Sequence, residues 1–212
     1  MRTADRIADA ALQLFNRKGY ASTTLTEIAA SVGISQGNLT YHFRTKRDLA
    51  LHLSETVRVT VEARRAAFEP GEVEDDYIAS VQHAMEMSWH YRFLLRDRGI
   101  FEHVDAVVPP SPIMVSSFDE RRRLMGRIHE EALFRSDMSL DLDVLSRSLW
   151  ILSRHWMDHL REMEQREEIE RSDVVRGVEH HFALLLPTLT AAGRRRFVTA
   201  FQRCRVNYVG PP

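Results

Sequence analysis

The stretch Thr24-Leu-Thr-Glu-Ile-Ala-Ala-Ser-Val-Gly-Ile-Ser-Gln-Gly-Asn-Leu-Thr-Tyr-His-Phe-Arg-Thr-Lys46 decides how the chain around it is read. Leu25, Ile28, Ala29 and Val32 recur at helical spacing and define one apolar face. Thr24 and Glu27 have the spacing of a capping box, in which each side chain satisfies an orphan amide at a helix start. Gly33 ends that helix, because glycine reaches positive φ without a steric penalty. Ser35 is an N-cap for a short second helix, Gln36 to about Phe43, with Leu39 and Phe43 facing inward. Its other face offers Gln36, Gly37, Asn38, Thr40, Tyr41 and His42. Thr45 caps a further helix with Lys46 in its first turn.

Two short helices around a tight turn, the second polar outside, have the form of a helix-turn-helix. In that motif the second helix enters the major groove and the first crosses the backbone. The same spacing also fits a plain helical hairpin inside an all-α core.

The longer run from Gly19 to Leu49 resembles the DNA-binding domain of TetR-type bacterial transcriptional regulators. The resemblance is carried by Gly19-Tyr20, by Thr24-x-x-x-Ile28-Ala29, by the turn Gly33-Ile34-Ser35, by Leu39-Thr-Tyr-His-Phe43 and by Lys46-x-x-Leu49. It spans residues 3 to about 53. One position departs: Thr40 stands where the family usually has a tyrosine that touches a phosphate. The resemblance implies an all-α protein. A three-helix helix-turn-helix head (residues 1–53) would be joined by a long helix to a helical-bundle domain for ligand binding and dimerisation (residues 54–212). It also implies double-stranded DNA with a palindromic operator, a small-molecule inducer and a second copy of the chain as partners.

Composition agrees with that class. With 212 residues and 28% charged side chains the chain can bury a sizeable core. No apolar run approaches the roughly 18 residues of a membrane span, and the start lacks the apolar core of a signal peptide. A single cysteine, Cys204, rules out an intrachain disulfide framework. A cytoplasmic protein without membrane partner is the expectation. The net charge of −1 hides an asymmetry. Residues 1–65 hold 10 Lys/Arg against 6 Asp/Glu, and the remainder 19 against 24. A basic head on an acidic body suits a head that meets phosphate.

Within the head, a first helix at 3–18 turns Ile7, Ala10, Ala11, Leu14 and Phe15 inward, and Tyr20 plugs the small core. Ser22, Thr23, Thr24 and Thr26 place hydroxyls and free amides where a phosphate oxygen could sit, which is also ordinary capping chemistry. Gln36 and Asn38 can pair bidentately with adenine, and Thr40 can offer its methyl to thymine. Gly37 lets the helix approach closely. Tyr41, His42 and Lys46 reach phosphates in this reading, with Ser35 at the helix start.

Helix four is expected from Lys46 to about Phe68, broken by Pro70-Gly71, with Asp75 or Asp76 opening the next. Further helices are expected at about 76–91, 92–104, 114–135, 141–167, 172–191 and 194–206. Val107-Val-Pro-Pro-Ser-Pro112 is a breaker, and the run Asp119 to Arg123 makes a very polar side. No stretch reads as a strand. Trp89-His-Tyr-Arg-Phe-Leu-Leu-Arg-Asp97 resembles an element in the body of some TetR-type regulators.

The body is rich in Met and aromatic residues, which at helical spacing read first as packed core. As a set they can also line an adaptable apolar cavity. The expected lining is Met85, Trp89, Phe93, Phe101, Phe118, Met125 and Trp150, with His129 or Arg154 supplying polarity. Leu145, Leu149, Leu152, Trp156 and Leu160, then Val174, Val178, Phe182, Leu185 and Leu186, form apolar stripes for a four-helix dimer interface; they could equally close the monomer's own core.

The rival reading is a helical metal-binding or small-molecule-binding protein without specific DNA readout. His155 and His159 stand at i, i+4, and His180-His181 follow on the next helix. The run His-Trp-Met-Asp-His lacks the glutamate that a zinc protease places after its first histidine. With no phosphate loop, nucleophile elbow or cysteine cluster, no enzyme, metal or cofactor is expected.

Overall fold

The computed structural model describes residues 2–101 and 112–207. Ten α-helices are present among them: α1 (Thr3–Lys18), α2 (Leu25–Val32), α3 (Gln36–His42), α4 (Lys46–Ala66), α5 (Val73–His90), α6 (Arg92–Phe101), α7 (Pro112–Glu130), α8 (Leu142–Glu162), α9 (Arg171–Leu185) and α10 (Ala191–Asn207). The all-α fold expected from the sequence is the fold observed. Residues 107–111 of the expected breaker and the tail of the helix expected to 104 lie outside the described residues.

The chain divides into two compact units, one containing α1–α4 and α6, the other α5 and α7–α10. The first unit, the head, is closed by Ile7, Ala11, Phe15, Tyr20, Ile28, Leu39, Phe43, Leu49 and Leu53. Burying each leucine, isoleucine or phenylalanine among them contributes roughly 1.5–3 kcal/mol relative to exposure. Phe93 of α6 completes this core, its ring 5.0 Å from that of Phe15. The sequence assigns Phe93 to a ligand pocket in the body; the structure places it in the head. The amide N–H of Phe93 donates to Asn16 Oδ1, and Asn16 Nδ2 donates to the carbonyl of His90, two residues before α6 begins.

The second unit, the body, packs Tyr77, Ile78, Val81 and Met85 of α5 with Met125 and Ile128 of α7, Leu149, Trp156 and Leu160 of α8, Val174, Val178, Phe182 and Leu185 of α9, and Phe197 of α10. Most of the two stripes named for a dimer interface are therefore consumed inside one chain. What α8 and α9 leave outside is Val144 (59% exposed), Ile151 (48%) and Leu184 (51%).

Several helix ends differ from the sequence expectation, α10 among them, which begins at Ala191 rather than 194; four have a visible cause. α5 begins at Val73 because Glu74, buried in its first turn, is bound by Arg196 Nη2 at 2.6 Å. α7 stops at Glu130, since Ala132 turns left-handed (φ 54°) and Phe134 then makes an isolated antiparallel bridge with Leu189. α8 stops at Glu162, shortly before Gln165 takes φ 53°. α9 gives way to a 3₁₀ turn at Leu186–Thr188, where Pro187 cannot continue the α ladder.

Candidate nucleic-acid interface and body site

The helix-turn-helix is built by local chemistry. Thr24 Oγ1 accepts from the Glu27 amide and the Glu27 carboxylate accepts from the Thr24 amide, completing the capping box. Lys18 also binds that carboxylate, and the two together hold the Glu27 pKa down at about 2. Gly33 sits in the left-handed region (φ 74°) and its N–H, with that of Ile34, closes the end of α2. Arg6 Nη2 donates to the Val32 carbonyl at 2.8 Å, tying α1 to the same terminus. Ser35 Oγ accepts from the Asn38 amide at 3.2 Å and starts α3.

This frame holds one face of α3 outward. Gln36, Gly37, Asn38, Tyr41 and His42 are exposed, Tyr41 to 85%, while Leu39 is fully buried beneath them. Thr26 donates its hydroxyl to Gln36 Oε1 at 2.7 Å, which turns the Gln36 amide nitrogen away from α2. Thr40, half-buried, donates its hydroxyl to the Gly37 carbonyl at 3.0 Å, so its hydroxyl proton is committed to the helix backbone. The rings of Tyr41 and His42 meet edge to face at 5.4 Å. A phenol exposed to this degree contributes little to packing and is available to a partner.

Two residues assigned to phosphate are turned inward. Lys46 Nζ donates to the carbonyls of Tyr20 (2.7 Å), Ala21 (3.2 Å) and Thr23 (2.8 Å) and lies 4.5 Å from the Tyr20 ring centroid. Its three donors clamp the turn between α1 and α2, and burial lowers its pKa. Thr23 is fully buried and donates its hydroxyl to the Gly19 carbonyl. Thr24, Thr26 and Ser35 stay at the surface, each engaged in a local bond.

The residues named for a ligand site do not form one set. Met85 and Met125 are buried in the body core, and Trp89 is half-buried against it, its indole N–H donating to the Ile169 carbonyl at 2.9 Å. Phe118 and Trp150 pack edge to face at 5.7 Å. Arg154 is half-buried and His129 is exposed. Phe93 belongs to the head, and the Phe101 side chain lies outside the described residues.

A buried polar group that the sequence reading passed over occupies the body instead. Tyr77 on α5, Ser153 on α8 and His181 on α9 are linked: the Tyr77 hydroxyl meets His181 Nε2 at 2.9 Å, and His181 Nδ1 meets Ser153 Oγ at 2.9 Å. Ser153 Oγ also donates to the Leu149 carbonyl, so the consistent arrangement has Nδ1–H donating to Ser153 and Nε2 accepting from Tyr77. Arg121 on α7 lies over the Tyr77 ring, 5.3 Å from its centroid. Burial, and then the nearby Arg121 charge, push the His181 pKa well below its usual value, so the imidazole is neutral. Arg121 is only 3% exposed, although it sits in the run Asp119 to Arg123 that reads as a solvated face. The signal was present: Phe118, Arg121, Met125 and Ile128 fall on one stripe of α7.

Of the histidines in the rival reading, His159 and His180 both pack on the Trp156 ring, at 5.4 and 4.9 Å between centroids. His155 Nδ1 faces Asp158 at 3.2 Å, His159 Nε2 faces Glu164 at 3.5 Å, and His181 is inside. Among the described residues no group of three or more His, Cys, Asp or Glu is placed to hold a metal ion, and no helix is long and apolar enough to cross a membrane.

Comparison with known proteins finds one family match in each unit. The profile described as bacterial regulatory proteins, tetR family, matches residues 7–53, and one described as bacterial transcriptional repressor matches residues 116–197, together more than half of the chain. The chain is 49% identical over 45 residues to the biofilm operon icaADBC negative transcriptional regulator IcaR of Staphylococcus aureus, which is 21% of this chain and 24% of that protein. It is 45% identical over 47 residues to the transcriptional regulator AcrR of Shigella flexneri, 22% of each. These matches span less than a quarter of the length of either relative. A TetR-family transcriptional regulator from Marinobacter aquaeolei VT8 has the same fold, with a TM-score of 0.75, 23% identity and coverage of 96% of this chain and 98% of that one.

Proposed function

The chain belongs to the tetR family of bacterial regulatory proteins, and from that membership we propose that it is a sequence-specific DNA-binding repressor released by a small-molecule inducer. The observation that carries the reading is the outward face of α3. Gln36, Asn38 and Tyr41 are exposed on a helix whose start is capped by Ser35 and whose underside is anchored by buried Leu39 and Phe43, which is the pre-organised surface that base readout needs.

In this reading Gln36 and Asn38 address base edges, with Gly37 allowing close approach and Thr40 offering its methyl group. Tyr41 and His42 meet phosphates, as do the groups at the start of α2, Thr24 and Thr26. Lys46 acts indirectly, by holding the turn that positions α2. Two heads must be presented about 34–36 Å apart to read a palindrome with half-sites one helical turn apart. A homodimer built on the outer faces of α8 and α9, through Val144, Ile151 and Leu184, supplies the second head. The inducer shifts a population: it binds better to a dimer whose heads no longer match the operator, and tight binding without that preference shifts nothing.

Selection of DNA from a random pool tests this, with the wild type compared against the Asn38→Ala, Tyr41→Ala double variant. A palindrome enriched by the wild type alone is the expected result. Failure of any sequence to enrich, using protein stripped of bound small molecules, removes the proposal.

A further inference from the structure

We propose that the body binds a small organic monocarboxylate with an apolar remainder, and that Arg121 receives its carboxylate. The inference rests on the reading above, because the acid would be the inducer. Arg121 is almost wholly buried, and its Nε and Nη1, which carry three N–H donors, have no hydrogen-bond acceptor. A guanidinium does not escape such a position by losing its proton. A buried charge without a partner is strongly unfavourable. Among the described residues no carboxylate stands within ion-pair distance of Arg121. The same helix shows that the chain supplies such partners elsewhere: Arg122 pairs with Asp143 at 3.1 Å and Arg127 with Asp76 at 2.6 Å.

The neighbours define what would fit. The face of the Tyr77 ring attracts the guanidinium and the Tyr77 hydroxyl can take one of its N–H groups, which supplies no countercharge and leaves Nε and Nη1 without an acceptor. Tyr77, His181 and Ser153 are neutral and bonded to one another, so they add polarity without a countercharge. One positive charge among neutral groups suits a single negative charge. Carboxylate matches the planar fork of arginine, whereas a cation would be repelled. Met125 lies one turn further along α7, and Met85 two turns beyond Tyr77 on α5; both are buried, and their thioethers can repack around an apolar remainder.

The test uses the full chain, unfolded in urea, dialysed and refolded to strip bound molecules. Its melting temperature is measured with millimolar hexanoate, octanoate and phenylacetate, and with hexanamide, octanamide and phenylacetamide. At least one acid is expected to raise the melting temperature while its amide does not. Arg121→Gln is expected to weaken that acid about a hundredfold, and Arg121→Lys to retain part of the response. Without ligand, Arg121→Met is expected to melt at or above the parent, because it removes an unpaired charge. Equal effects of acid and amide, no response to any acid, or full response in Arg121→Gln would overturn the proposal. So would a fall in the unliganded melting temperature of Arg121→Met, since it would mean that the guanidinium has a partner within the chain. DNA selection on the same preparation separates the two claims. An enriched palindrome without an acid response overturns only the ligand assignment. An acid response without enrichment overturns the regulator reading and leaves the carboxylate site standing.

Discussion

The backbone N–H of Tyr20 donates to the buried carboxylate of Asp97 at 2.8 Å, joining positions 77 residues apart. Asp97 in turn is bonded by Arg96, whose Nη2 donates on to the Phe15 carbonyl at 2.7 Å. The Tyr20 amide, otherwise orphaned past the end of α1, is thus satisfied from α6, and the Phe15 carbonyl, which already accepts from the Gly19 amide, gains a second donor. The turn they hold leads directly into α2, so α6 supports the helix-turn-helix at its entrance.

Asp97→Ala leaves the Tyr20 amide without an acceptor and Arg96 without its carboxylate. A loss of about 1–3 kcal/mol in the local stability of the head is expected, the usual penalty for a buried donor left unpaired. Hydrogen exchange of the amides in residues 15–30 reads this directly. Unchanged exchange there would show that α6 does not support the turn.

The face of α3 makes the opposite prediction. Tyr41 and Asn38 are exposed, so alanine at either should change stability by no more than about 0.5 kcal/mol. Asn38→Ala should relax specificity at one base pair, with a loss of about 1–3 kcal/mol against the preferred site. Lys46→Ala should lower the melting temperature, because three carbonyls lose their donor, and should leave the salt dependence of DNA binding unaltered. A salt slope reduced by about one in Lys46→Ala would instead assign its ammonium to a phosphate.

The head was legible because its signals are local. The Thr24–Glu27 box, Gly33, Ser35 and Thr45 each act within a few residues, and the boundaries of α2 and α3 and the start of α4 follow from them to within a residue. Phe93 was misplaced because its partner, Phe15, is 78 positions away and nothing nearby distinguishes a head ring from a body ring. Arg121 was hidden by its neighbours: a run of three arginines reads as solvent-facing, and only its phase with Phe118, Met125 and Ile128 betrays the buried one. The ends of α7 and α8 were overestimated because the left-handed residues nearby are Ala132 and Gln165, types that carry no turn signal.

Gly177 marks the closest approach of α9 to α8. A Cβ built there would lie 2.6 Å from Cδ1 of Trp156, whose indole N–H is held by the Asp173 carbonyl at 2.7 Å. The ring cannot move without breaking that bond. Gly177→Ala is therefore expected to destabilise the body by about 1–3 kcal/mol despite the better helix propensity of alanine. Urea denaturation followed by tryptophan fluorescence checks it, and a stabilised variant would refute the tight contact.

The proposed dimer places Val144, Ile151 and Leu184 against a second copy. Val144→Asp together with Ile151→Asp should leave the fold intact, since both side chains are exposed in the single chain, yet yield a monomer by light scattering at micromolar concentration. That monomer should lose affinity for the palindrome while a half-site bound weakly is retained. Substituting Leu149, which is fully buried, should instead unfold the body.

His181 makes body stability depend on pH in a defined direction. Its folded pKa lies well below 6.5, chiefly through burial and then through the Arg121 charge, while the unfolded chain binds a proton near 6.5. Below that pH the unfolded state holds more protons than the folded one, so stability rises with pH across the window. The stabilisation is full above about pH 6.5 and falls as the solution is acidified from there. The three tryptophans, Trp89, Trp150 and Trp156, all belong to the body, and their fluorescence reports its melting separately from the head. Between pH 7.5 and 5 the parent melting temperature should fall, and His181→Gln should flatten that slope while lowering the temperature throughout. Glu27 does not confuse the window, because its pKa of about 2 confines its effect to pH below about 4.5. A bound carboxylate beside Arg121 would cancel part of the charge that repels the proton. The same acid that raises the melting temperature should therefore also make its pH dependence shallower, and an unaltered slope would place the acid away from Arg121.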